Sequence, residues 1–277
     1  MGEHFALTVF SICLQAAVGI MLFVAICRIG NKEGVFKSPI LVATGLSALG
    51  LLASLLHLGR PLSAINALNQ FGTSWLSREI WFTAIFFMLT LVAALLLYLK
   101  PQAKGAITGL AVGAALVGIC DVFAMAKIYS SASVPIWQSA ATFVEFYAAA
   151  ISMGAVLFLA LSMKEAGKMK KVVALTVAGM VAVQVAFVIP YLASMATSSS
   201  TALQASLAII SGLKAANIFK WLMILAGAGL VLWVSKDEMS KKVSTAVVSG
   251  AALLFAGQVV GRYIFYAAMV VYSVGLT

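Results

Sequence analysis

Charge is scarce in this chain. Of its 277 residues only 9% are Asp, Glu, Lys or Arg, and 63% are hydrophobic, whereas a soluble domain carries about 25% charge. Nearly all of the chain is therefore expected in the lipid bilayer. Acids are rarer than bases, 8 against 18, which leaves a net charge of +10. Basic residues at the ends of membrane helices are first a topology device, so this excess predicts no nucleic-acid partner. The start, Met1-Gly2-Glu3-His4, has no basic residue, and the apolar run after it is too long for the core of a cleavable signal peptide.

Metal-ligating residues are scarce too. Cys13, Cys27 and Cys120 stand alone in apolar runs, with no C-x-x-C pair, and His4 and His57 are the only histidines. Iron–sulfur clusters and structural zinc need thiolates that this chain lacks, and a bis-histidine haem would depend on His4 beside the chain end. No haem and no metal of its own is expected. Any redox role has to borrow cofactors from another protein.

What is present is apolar length. About 20 apolar residues cross the hydrocarbon as a helix, and eight such runs stand at 5–27, 39–57, 79–99, 105–127, 139–163, 172–194, 215–234 and 243–262. They lack the period-two alternation of membrane strands. The expectation is one all-α polytopic domain over 1–277 with eight transmembrane helices. Ser38-Pro39 reads as a cap and first-turn proline for the second helix, Gly59 with Pro61 as its stop, and Lys100-Pro101 as the end of the third. Two connections carry apolar residues every three or four positions: Leu62, Ile65, Leu68 and Phe71, then Leu203, Leu207, Ile210 and Leu213. Each suits either a short helix flat on the membrane surface or a packed connector.

Twelve Lys and Arg residues fall at the odd-numbered connections and six at the opposite side. That imbalance predicts the odd connections in the cytoplasm and both termini outside, in the periplasm. His57, Arg60 and Arg78 then face outward.

An ionisable group inside a membrane is costly and marks function by default. Glu79, Asp121, Glu145, Lys220 and Arg262 all lie toward the outward ends of their runs. The inward half is expected to hold no comparable residue. Each also has a plainer reading: Arg78, Lys127 and Lys214 as interfacial anchors, Asp121 with Lys127 or Glu145 with a neighbouring cation as structural pairs, and Arg262 as a partner of its helix dipole. Their convergence near one surface is what points to a site. Quinol oxidation suits it. A quinol needs an apolar slot, hydrogen-bond partners for two ring oxygens and a proton acceptor. His57 has the right chemistry to take the proton, Glu79 to relay it outward, and Arg60 or Lys220 to tune both.

The stretch from His57-Leu58-Gly59-Arg60-Pro61 to Asn66-Ala67-Leu68-Asn69, followed by Ser77-Arg78-Glu79-Ile80, resembles the H-L-G-x-P…N-x-L-N…S-x-E-I pattern of the membrane-anchor subunit of anaerobic dimethyl sulfoxide reductases. Gly261-Arg262 with Phe265-Tyr266 is similar to that family's G-R…F-Y, and Tyr129 with Val134-Pro135 and Trp137 to its fourth-to-fifth connection. The resemblance covers essentially the whole sequence. It implies a multi-pass anchor in the bacterial cytoplasmic (inner) membrane that binds menaquinol and passes electrons to a four-cluster iron–sulfur subunit, which feeds a molybdopterin catalytic subunit. On it, His57 and Gly59 are functional positions and Glu79 is the third-helix acid; with the reading of the residues, His57 and Glu79 take and relay the proton, while Gly59, Arg60, Lys220 and Arg262 join His57 in holding the quinol. Lys220 stands where the family pattern suggests arginine, and Glu145 has no counterpart in it.

Two other readings compete. A secondary transporter would place polar groups and broken helices near the midplane, which this sequence does not show. A purely structural anchor would not need His57, Glu79 and Arg262 near one face.

Overall fold

The computed structural model describes residues 2–30, 34–57, 68–237 and 240–271. Gly59 and Arg60 lie outside the described residues, as do the side chain of His57 and most of the 61–72 stretch. With backbone donors and acceptors all paired internally, a helix is the structure an apolar run adopts in lipid. Among the described residues eight helices are long and apolar enough to cross a membrane. They are α1 (Gly2–Gly30), α2 (Lys37–His57), α3 (Trp75–Leu99), α4 (Lys104–Ser130), α5 (Ala140–Leu161), α6 (Lys170–Met195), α8 (Lys214–Trp233) and α9 (Lys241–Ala267), with a short ninth, α7 (Thr201–Gly212), before α8.

Local chemistry sets several starts. Ser74, Ser139, Ser200 and Ser240 each accept a first-turn N–H, opening α3, α5, α7 and α9. Ser38 does not cap α2. The helix begins at Lys37, and Ile40 N–H already reaches back to Phe36 O at 3.2 Å, so Ser38 and Pro39 sit inside the first turn, where proline's missing N–H costs nothing. Phe36 itself is left-handed (φ 49°). Glu165 Oε2 holds its N–H at 2.6 Å, and its buried ring packs on Phe158 with centroids 5.5 Å apart. The last helix runs on to Ala267, five residues past the expected end at Arg262, because that arginine finds partners inside the bundle and the span need not stop at it.

The spans are arranged around α1. Buried residues make up 83% of its spanning window, against 61% for α5 and 33–39% for the other six. Helix α1 packs against α2, α4, α5 and α9, while α3 lies outside α2 and α4, and α6 and α8 close the other side. Leu52, Met88, Leu116, Phe187 and Leu222 are exposed on the outer helices, as lipid-facing residues should be. Contact with α5 is backbone to backbone. A Cβ on Gly19 would lie 2.0 Å from Ala150 O, and one on Gly154 2.1 Å from Gly19 C; small residues let membrane helices approach this closely. Leu203, Leu207 and Leu213 of the α7 region pack with Ile210 against Val134, Trp137, Met195 and Ile264, which favours a connector seated on the bundle over a helix lying on lipid.

Successive spans alternate direction, so one end of the bundle collects His57, the start of α3, the end of α4, the starts of α5 and α8, and the end of α9. We expect Gly154→Leu to prevent stable packing of α1 on α5, lowering the unfolding midpoint in detergent by the equivalent of about 3 kcal/mol or more. Gly179→Leu, on α6 with nothing within 4 Å of a Cβ, should leave that midpoint unchanged.

Candidate functional site

The end that carries His57 also gathers the costly residues. Glu79 is four residues into α3, Glu145 five into α5, Lys220 six into α8, and Arg262 five from the end of α9, each within about 9 Å of its helix end. Asp121 lies deeper in α4 and is fully buried.

The set divides in two around an aromatic core. Tyr129, Trp137, Phe146, Phe265 and Tyr266 form that core, with Tyr129 5.1–5.6 Å from the other four ring centroids. On the α3–α4 side, Asp121 accepts the Thr83 hydroxyl at 3.1 and 3.2 Å. Lys127 is not its partner among the described contacts. Glu79, 6% exposed, lies near Asp121, Tyr129 and Tyr266. Among the described residues no side chain hydrogen-bonds to its carboxylate. On the opposite side, Lys220 Nζ meets Glu145 Oε1 at 3.0 Å, with side-chain exposures of 5% and 18%. Glu145, without a counterpart in the sequence pattern, is thus tied to Lys220.

Arg262 stands between the two halves. Its guanidinium carbon lies 3.6 Å from the Phe146 ring centroid and 5.3 Å from that of Phe265. Nη2 donates to Gln15 Oε1 of α1 at 3.0 Å. Among the described residues Nε and Nη1 are buried without a hydrogen-bond partner, and so are Gln15 Nε2 and the Tyr266 hydroxyl, which faces Ser11 and Tyr129 without ordinary hydrogen-bond geometry. Cation–π contact repays part of the cost of burying the guanidinium, but unmet donors in a buried site remain expensive. Two openings flank this group. A narrow cleft of about 50 Å³ is walled by Ile136, Trp137, Val188, Leu192 and Ile264 and reaches Glu145, Asn217 and Lys220. A smaller polar recess of about 10 Å³ joins Glu145 and Lys220 to Arg262 and to Gln184 and Gln258, whose amides pair at 3.1 and 3.4 Å.

The opposite end is not free of buried cations, contrary to the sequence expectation. Arg28 is 1% exposed. Its Nε donates to Thr108 Oγ1 at 3.0 Å, Nη1 to Gly34 O and Val35 O at 2.7 and 3.1 Å, and Nη2 to Lys104 O at 3.0 Å. Lys170 is bonded to Asp237 O. These cations are consumed by the backbone they tie together. Arg78, expected as an interfacial anchor, does similar work in its loop, donating to Phe71 O and Gly72 O at 2.9 and 2.6 Å. Sequence reasoning also passed over Gln15, Gln184 and Gln258. Their signal was an amide in an apolar run, which a search confined to formal charges does not pick up.

The contrast between the two arginines is measurable. Arg28→Leu strands the backbone and hydroxyl acceptors that it ties together and should cost about 3 kcal/mol or more. Arg262→Leu removes a charge whose donors are half unmet and should cost less, because replacing a poorly paired buried ion by an apolar residue is often neutral. Unfolding midpoints of the two variants in the same detergent check the order.

Among the described residues no group of three His, Cys, Asp or Glu side chains is arranged to hold a metal. Known proteins place this architecture. A family model described as "DMSO reductase anchor subunit (DmsC)" matches residues 1–268. The sequence is 31% identical over 231 residues to the C subunit of anaerobic dimethyl sulfoxide reductase of Escherichia coli, covering 80% of this protein and 77% of that one. It is 28% identical over 275 residues to the YnfH subunit of anaerobic dimethyl sulfoxide reductase of the same organism, covering 96% and 95%. The C subunit from Haemophilus influenzae is 34% identical over 161 residues, covering 56% and 57%. With eight apolar spans and a family match across nearly its whole length, this chain belongs to the DMSO reductase anchor subunit family.

Proposed function

We propose that the protein binds and oxidises menaquinol and delivers its electrons to an iron–sulfur subunit with four clusters, which feeds a molybdopterin subunit that reduces dimethyl sulfoxide or a related S-oxide. The observation that carries this reading is Arg262: a buried cation, stacked on aromatic rings, with two donors unmet, between the buried Glu79 and the half-buried Glu145. A membrane-soluble hydroquinone fits such a setting. Its ring suits apolar and aromatic walls, its oxygens take hydrogen bonds from cations and amides, and its protons need a carboxylate. The residues of this protein bind and orient the quinol and accept its protons; the clusters that take the electrons belong to the partner.

His57 and Glu79 are proposed as proton acceptor and relay, and Gly59 and Arg60 as quinol contacts in the connection after α2. Lys220 and Arg262 supply the cationic side. The Lys and Arg distribution supports an outward, periplasmic orientation of this end in the cytoplasmic membrane. The iron–sulfur partner then docks on the outside, since the electrons leave where the quinol is held. Transport is the weaker reading, because the unmet polar groups gather toward one end of the bundle, while Arg28 and Lys170 at the other are spent on the backbone they tie together.

In membranes holding the whole complex, His57→Arg and Glu79→Gln should each lower quinol-driven S-oxide reduction by about 10²-fold or more and weaken binding of a menaquinol-site inhibitor. Turnover driven by a reduced viologen, which bypasses the membrane, should persist. Quinol-driven turnover unchanged in both variants would sink the reading.

A further inference from the structure

Glu145 is the half-buried acid that the sequence pattern leaves without a role, and the cleft beside it sets apolar and aromatic walls against polar groups. We infer that this cleft, between α5, α6, α8 and α9, holds the quinol ring and that Glu145 takes the proton from one of its two hydroxyls. The inference rests on the quinol reading above and locates the ring within it.

The polar groups of the cleft sort themselves. The Thr142 hydroxyl is spent on Trp137 O at 2.7 Å, the Trp137 indole N–H on Phe265 O at 3.0 Å, and the Tyr191 hydroxyl on Ile136 O at 2.9 Å. These hold the wall in shape. Left over among the described residues are the second oxygen of Glu145, the Lys220 N–H groups beyond the one on Glu145 Oε1, and the Asn217 amide, one turn before Lys220 on the same face of α8. That remainder is one proton acceptor beside two kinds of donor, set in apolar walls. A pocket of this composition selects a mostly apolar ligand with a few polar atoms.

A structural ion pair is the plain alternative. Burying two charges in a bilayer is costly, and a pair retained only for packing is best completed by further hydrogen bonds. Arg28 at the other end is completed in that way. The Glu145–Lys220 pair is left open toward a cleft on one side and toward the unmet donors of Arg262 on the other. An incomplete pair at the junction of two openings suits an acid that has to change partner.

The step balances. One quinol O–H bond breaks and its proton forms an O–H bond on the free oxygen of Glu145. The proton then leaves through the mouth of the cleft to water, which returns Glu145 to its carboxylate. The second hydroxyl proton is the one that the reading above gives to His57 and Glu79. The two electrons go one at a time to a one-electron acceptor, an iron–sulfur cluster of the partner subunit, and quinone remains. Lys220 holds Glu145 in place before the transfer and stabilises the charge on it afterwards.

The test uses membranes with the complete complex, a reduced naphthoquinone as donor, and a reduced viologen to report assembly. Glu145→Gln keeps the shape and a hydrogen bond to the quinol but cannot take its proton. We expect it to lower quinol-driven turnover about 10²-fold or more while viologen-driven turnover persists, with partial recovery in Glu145→Asp. Ile264→Trp fills the cleft without touching the ion pair and should abolish inhibitor binding; it decides the matter if Glu145→Gln fails to assemble. Quinol-driven turnover within twofold of the parent in Glu145→Gln, or inhibitor binding intact in Ile264→Trp, would overturn the assignment. Loss in His57→Arg alongside survival of both cleft variants would leave the quinol reading standing and move the ring to the α2–α3 side. Survival of all three would remove both.

Discussion

Hydrocarbon supplies no hydrogen bonds, so each buried donor in this bundle has to be met by protein, by a ligand or not at all. The two buried arginines answer that constraint in opposite ways. Arg28 spends its donors on three carbonyls and a hydroxyl and thereby ties the 34–36 segment and the start of α4 to α1. Arg262 has Gln15 and two ring faces, with Nε and Nη1 unmet. The first is a structural clamp. The second is a site held ready at a cost.

That cost can be carried because the surroundings are rigid. Helix α1 runs through the middle, and its glycine at position 19 lets α5 approach until backbones touch at Gly154. This contact fixes the separation of α1 and α5, and so of Gln15 and Phe146, the two residues that grip Arg262 from different sides. The aromatic core around Tyr129 fills the space between the acids of α3 and α4 and the ion pair of α5 and α8. Glu79 and Asp121 thus share one side of the packed rings and Glu145 lies on the other.

Several elements were legible in the residues as written. The eight spans agree with their apolar runs to within a few residues at most ends, and the gathering of Glu79, Glu145, Lys220 and Arg262 near one end follows from their positions along those runs. The α9 end differs because a charge in sequence suggests the limit of a span, whereas Arg262 is buried inside the bundle, bonded to Gln15 and stacked on aromatic rings. Ser38 looked like a cap because serine followed by proline usually is one; the left-handed turn at Phe36, held by Glu165 from another connection, moved the start. Arg28 counts in sequence as one more basic residue of the first connection, because nothing near it reveals Thr108 and Lys104 as its acceptors.

The sequence alone determined what depends on local composition: how many times the protein crosses the bilayer, where each crossing runs, and at what depth each charge lies, since a helix rises by a constant amount per residue and lipid demands a constant length. The tertiary structure decided who meets whom. Rotation and tilt of each helix pair Glu145 with Lys220 and not another cation, give Asp121 the Thr83 hydroxyl, and leave Arg262 half satisfied. Those angles arise from close packing across helices far apart in sequence, at glycines such as Gly19 and Gly154, and no periodicity along a single span encodes them.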